Sequence, residues 1–144
     1  MSPRRSLKNL QRTLHVLGAI PVVAGAATAL AGSHSIPDAG QTTPSLESEL
    51  RFYSVWWIGA GLYLGWLAGR VGERTRELRV FCGLLFLGGL SRVLAILDAG
   101  WPRPIFIVLM GLELSLPLIL VVWQAKATAP PRLAGEGHRA PTGR

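Results

Sequence analysis

The sequence predicts an all-α fold, an integral membrane bundle of four transmembrane helices with both termini cytoplasmic. Three observations carry that expectation. Charged residues make up only 16% of the chain, against roughly 25% in soluble domains. Four apolar runs, near residues 14–31, 52–68, 78–97 and 105–123, each approach the ~20 residues that cross ~30 Å of hydrocarbon as a helix. None shows the polar face of a soluble amphipathic helix, nor the apolar–polar alternation of a barrel strand.

The first helix is expected over 14–31, preceded by a basic cytoplasmic segment at 1–13 that holds Arg4, Arg5, Lys8 and Arg12. Basic residues, an apolar run and Ala29-Leu30-Ala31 also resemble a signal peptide. The run is longer than a signal's usual ~7–15 residues, and a retained helix keeps the helix count even, as two cytoplasmic ends require. The outer segment 32–49 is rich in Gly, Ser, Thr and Pro and reads as irregular. "PSLESEL" then reads as a helix start, with Ser45 as N-cap and Glu47 to Glu49 in the first turn. The second helix, 46–69, begins above the membrane and enters it near Phe52. The connection "RVGERTRELR" carries four arginines. The third helix is placed at 78–97 and the fourth at 104–124. Residues 125–144, rich in Pro, Gly and Ala and basic, read as a disordered cytoplasmic tail.

Orientation follows from Lys and Arg. The N-terminal segment, the central connection and the tail share one side of a four-helix chain and hold most of the basic residues; the opposite side has Arg51 and Arg103. The net charge of +7 and the pI of about 11.1 therefore fit anionic membrane lipids as partners. Nucleic acid is not expected, because no continuous basic groove with interleaved aromatic residues exists. Tyr53, Trp56, Trp57, Trp101 and Trp123 mark helix ends, where aromatic side chains anchor at the membrane interface.

Chemistry is sparse. Cys82 is the single cysteine, which excludes an intrachain disulfide and reads as a small apolar filler. His15, His34 and His138 are too scattered for a metal site. No nucleophile–base set can be assigned, so enzymatic activity is not the expectation, and no cofactor is implied. Gly61, Gly65 and Gly69 recur every four residues in "WWIGAGLYLGWLAGR", a small-residue stripe that lets helix backbones approach closely in a membrane. The stripe serves packing within one monomer or a homodimer.

Two ionisable residues fall inside apolar runs. Arg92 lies six residues before the end of the third helix, roughly 9 Å at 1.5 Å per residue, and Glu113 eight residues into the fourth, roughly 12 Å. A short turn makes these helices antiparallel neighbours, so the two side chains sit at similar depth. A lone Arg at a helix centre costs about 2.5–3.5 kcal/mol on insertion scales, and a lone carboxyl in hydrocarbon tends to take up a proton. Snorkelling, a structural pair and a polar pocket all answer that cost. Pro117 lacks an N–H and so frees the Glu113 carbonyl, with a kink expected there. Glu49 and Arg51, at the mouth of the second helix, extend the candidate ligand-binding set to Arg51, Arg92, Glu113 and Glu49.

At "ESELRFYSVWWIGAGL", "FLGGLSRVLAI", "GWPRP" and "LELSLP" the chain resembles a bacterial membrane family catalogued as domain of unknown function 4345, over roughly residues 10–123. The resemblance implies a small four-span protein, placed in the bacterial inner membrane, and implies no activity. Two roles follow for the sequence as a whole. One is a structural or accessory membrane protein with an intramembrane Arg–Glu contact. The other is binding or transport of a small ligand, lipid or proton through an outward-facing polar pocket.

Overall fold

The computed structural model describes residues 3–129. Among them are four α-helices and no strand: α1 (Pro3–Ala31), α2 (Pro44–Ala68), α3 (Thr75–Ala99) and α4 (Pro104–Thr128), with a 3₁₀ turn at Gly32–Ser35. The helices pair as two antiparallel hairpins, α1–α2 and α3–α4.

Helix α1 starts eleven residues before the expected 14. The basic residues of 3–13 alternate with Leu and Gln, all strong helix formers, and Pro3 opens the helix where a missing N–H is harmless. The helix ends at Gly32, whose φ of +57° is the left-handed conformation that closes many helices. Helix α2 is capped by Thr43 rather than Ser45; the Thr43 hydroxyl accepts from the Leu46 N–H at 3.2 Å. Pro44 decides this, since its fixed φ suits the first helical position and leaves the preceding residue as the cap. Helix α3 closes at Gly100, whose N–H donates to Ile96 O at 2.9 Å with φ at +88°. Pro104 opens α4, which runs unbroken through Pro117 to Thr128. Residues 125–128, expected in the disordered tail, are thus helical; the Thr128 hydroxyl bonds back to Gln124 O at 2.9 Å. The remainder of that tail, from residue 130, lies outside the described residues.

Small residues set the α1–α2 crossing. A Cβ on Gly18 would stand 2.7 Å from Gly61 O, one on Gly25 2.7 Å from Ser54 O, and one on Gly61 would strike Gly18 O and press on Pro21. The backbones therefore touch, the small-residue packing used between membrane helices. Of the glycine stripe, only Gly61 is committed to the crossing in this way. A Cβ on Gly65 meets nothing within 4 Å, and one on Gly69, which follows the last turn of α2, meets only Trp66 O at 3.6 Å.

The hairpins join at one end. Leu10 and Leu14 of α1, Leu64 and Ala68 of α2, Val71 of the α2–α3 turn, Leu78 and Cys82 of α3 and Leu120 of α4 form the core. Elsewhere large apolar side chains face outward, Leu30, Val23 and Leu97 among them. An apolar surface of that extent calls for lipid or a partner. Three segments, Arg4–Ser35, Thr75–Ala99 and Pro104–Thr128, are long and apolar enough to cross a membrane. Helix α2 has the length, but its Trp, Tyr and Gly residues and Arg51 lower its mean hydropathy.

Candidate functional site

Arg92 and Glu113 meet. Arg92 Nε donates to Glu113 Oε2 at 2.6 Å and Nη2 to Oε1 at 3.1 Å, a bidentate fork of the kind guanidinium and carboxylate planes favour. The pair is largely shielded, with side-chain exposures of 26% and 18%. Gly89, one turn before Arg92, makes it possible. A Cβ there would press on Glu113 Cβ and Leu114 at 3.0 Å, so α4 rides close to α3 where the charges must reach each other. The guanidinium fork is spent on the carboxylate, and the carbonyl that Pro117 frees receives no side-chain donor among the described residues.

Arg51 belongs to a different cluster, on the other hairpin. Its Nη1 donates to the last carbonyls of α1, Ala29 O at 2.7 Å and Leu30 O at 3.1 Å, and its Nη2 to Glu47 Oε1 at 3.1 Å. Glu47 Oε2 accepts from the Ser33 N–H at 3.1 Å and from the Thr42 hydroxyl at 3.3 Å. Arg51 thus caps one helix while Glu47 caps the 3₁₀ turn that follows it, supplying partners to groups every helix end leaves bare. Gly32 is required twice here, by its positive φ and because a Cβ would collide with the Glu47 carboxylate. The Ser33 N–H first, then the Ser33, Arg51 and Thr42 side chains, hold the Glu47 carboxyl below the ordinary value of 4.5. Glu49, grouped with Arg51 in the candidate ligand-binding set, is exposed on α2 and takes no part in this cluster. Position explains the exchange: Glu47 is four residues before Arg51 on the same helical face, Glu49 only two.

Of the four candidate ligand-binding residues, the structure brings Arg92 and Glu113 together and sets Arg51 in a separate hydrogen-bonded cluster. No hydrogen bond joins the Arg51 cluster to the Arg92–Glu113 pair among the described residues. Two open surface depressions stand out among the described residues. One, of about 480 Å³, lies along Leu118, Ile119, Val122, Trp123 and Lys126. The other, of about 540 Å³, lies between the α1–α2 loop and the α3–α4 turn, with Trp101 and Phe106 in its wall and the Asp38–Arg103 ion pair across it. Neither is lined by Arg51, Arg92, Glu113 or Glu49.

Reading the sequence also missed Gln124. It is fully buried at the joined end of the hairpins, and its Nε2 donates to Val71 O at 2.9 Å and to Thr75 Oγ1 at 3.2 Å. Its Oε1 has no partner among the described residues. A Gln at the edge of an apolar run reads as the place where the helix meets water, so no local signal marked it. Gly89 had a signal: it sits three residues before an arginine within an apolar run, on the same helical face. No group of three metal-ligating side chains occurs among the described residues.

A family model described as Domain of unknown function (DUF4345) matches residues 10–124, which run from the first core leucine of α1 to the buried glutamine of α4. The chain belongs to this family. The DUF4345 region thus takes in every residue of the core, the Arg92–Glu113 pair and the Arg51 cluster, and stops before the tail. No curated protein and no solved structure matches the chain.

Proposed function

We propose that this DUF4345 protein is a structural or accessory component of a membrane, built from four spans with both ends on the cytoplasmic side. The carrying observation is the fate of its charges. Arg92 and Glu113 neutralise each other between α3 and α4, Arg51 and Glu47 close the end of α1, and Asp38 and Arg103 tie the outer loop to the α3–α4 turn. Groups consumed in this way hold helices together and are not free to act as acid or base in a reaction. A binding pocket over the same residues has less support, because both Glu113 oxygens already have donors.

Helix α2 supplies the fourth span in this reading. Its 25 residues give roughly 37 Å at 1.5 Å per residue, and its Tyr and Trp side chains suit the interface at either end. The basic residues of α1's first turns and of the α2–α3 turn favour an inside position for those segments, with residues 1–13 and 125–144 outside the spans in this reading. Gly61 is assigned to packing within the monomer, which leaves Gly65 and Gly69 for a homodimer. A topology reporter fused after Lys126 tests the reading: a cytoplasmic signal is expected, and a periplasmic one overturns it.

A further inference from the structure

We propose that the α2–α3 turn binds the phosphate of an anionic phospholipid headgroup, held by Arg70 and Arg74 on the face of Trp66. The inference rests on the assignment of this turn to the membrane surface and deepens it by naming a ligand.

The geometry is specific to one indole. The Arg70 guanidinium carbon lies 4.9 Å from the Trp66 ring centroid and that of Arg74 5.3 Å. Tyr63 stacks on the same indole, with centroids 5.6 Å apart and planes at 23°, and Tyr63 in turn meets Phe81 of α3 at 6.3 Å. Trp66 and both arginines are exposed. A guanidinium laid on an aromatic face keeps its edge N–H groups free, and those are the donors that fit phosphate oxygens bidentately.

The turn beneath is fixed. Arg70 N donates to Leu67 O at 2.9 Å, and Arg70 O accepts from the N–H groups of Glu73 and Arg74 at 2.9 and 3.0 Å. Val71 is fully buried in the core, and its carbonyl holds the buried Gln124. With Val71 pinned inward, its neighbours are presented outward. This gives the otherwise unexplained Gln124 a role: it locks the turn that carries the arginines.

The charge is incompletely answered. Arg74 Nη1 donates to Glu77 Oε1 at 2.7 Å. Arg70 has no carboxylate within ion-pair distance among the described residues. Two like charges held on one ring repel, and an anion bridging them removes the repulsion. Residues 70–79 hold four arginines against Glu73 and Glu77, so the surface stays net positive. Trp66 belongs to the last turn of α2, where its apolar run ends, which is headgroup level for an interfacial aromatic.

The test uses the full chain in neutral maltoside micelles, titrated with phosphatidylglycerol or phosphatidylcholine of identical acyl chains. Lipid retention is read by native mass spectrometry and thermal stabilisation by helical circular dichroism. Phosphatidylglycerol should be preferred, and Arg70→Gln should cut that preference about fivefold, the order expected for one basic residue at an anionic surface. Trp66→Leu removes no charge and should still reduce it about two- to fivefold, through loss of the cation–π platform. Arg5→Gln removes the same charge elsewhere on the same side and should leave it nearly unchanged. Equal binding of the two lipids overturns the proposal, as does an Arg5→Gln loss equal to that of Arg70→Gln, which means diffuse charge. Millimolar inorganic phosphate that stabilises as well as phosphatidylglycerol overturns the lipid as ligand. Should Arg70→Gln lose its helical signal, Arg70→Lys replaces it; it keeps the charge without the planar fork, and an unchanged preference then counts against the site. A periplasmic reporter signal would refute the topology without touching these micelle measurements.

Discussion

Replacing Glu113 by Leu should be among the most damaging single changes in the protein, and replacing Arg92 as well should largely repair it. The leucine would keep the Cβ that packs on Gly89 but remove both acceptors of the Arg92 fork. Arg92 would then be an unpaired cation, three-quarters shielded by α3 and α4. A lone Arg at a helix centre costs about 2.5–3.5 kcal/mol by insertion scales, and its position toward the C-terminal end of α3 lets the side chain reach water and recover part of that. A loss of about 2–3 kcal/mol is expected. Arg92→Met should cost less, about 1–2 kcal/mol, because a carboxyl left alone can become neutral by taking a proton whereas a guanidinium cannot. The double variant Arg92→Met/Glu113→Leu should fall within about 1 kcal/mol of the parent, since an apolar pair of similar volume often replaces a buried ion pair without loss. The exchange Arg92→Glu/Glu113→Arg should likewise recover folding lost in either single reversal. The assay is loss of helical circular dichroism with rising SDS fraction in mixed micelles. Additive single effects, meaning a coupling below about 0.5 kcal/mol, would refute the reasoning, and so would an Arg92→Met variant weaker than Glu113→Leu.

Three further outcomes follow from other parts of the molecule. Gly61→Ala should destabilise the monomer by about 1–3 kcal/mol, as overpacking does, because its Cβ meets Gly18 O and Pro21, while Gly65→Ala should leave the monomer's stability unchanged or slightly raised because its Cβ meets nothing within the chain; the same SDS titration on dilute, monomeric protein separates them, and equal effects there would show that the crossing is not set by Gly61. Glu47 has a native value lowered below 4.5, so its contribution is complete above 4.5 and is lost as pH falls through the lower native value; acid should loosen the α1–α2 end, read as a lower protection factor for the Ser33 amide relative to its intrinsic exchange rate at the same pH, and Glu47→Gln should remove that pH dependence. Gln124→Glu should cost at least about 2 kcal/mol, because a carboxylate would face the Val71 carbonyl where an N–H₂ now donates; a melting temperature equal to the parent's would show that the buried amide does not hold the turn.

The sequence by itself determined the helical class, the number of helices and their antiparallel order, because runs of apolar residues punctuated by Pro, Gly and charge express backbone and solvent preferences that need no partner. It also brought Arg92 and Glu113 to one depth, since helical rise is constant and the turn between them is short. Helix ends were less legible. Pro44 moved the α2 cap to Thr43, and α1 and α4 extend past their apolar runs because the Arg, Lys, Gln and Ala found there are good helix formers in their own right. Which carboxylate joins Arg51 turned on a helical face and on where the chain after Gly32 returns, so Glu47 and not Glu49 took the place. Gly18 and Gly25 acquired meaning only once the helices they touch were known. Gln124 could be understood only from Val71, fifty-three residues away in sequence. Local preferences act over a few residues and can be read along the chain. Pairing between charges, close backbone approach and the satisfaction of a buried amide are relations between distant segments, and only the tertiary structure decides them.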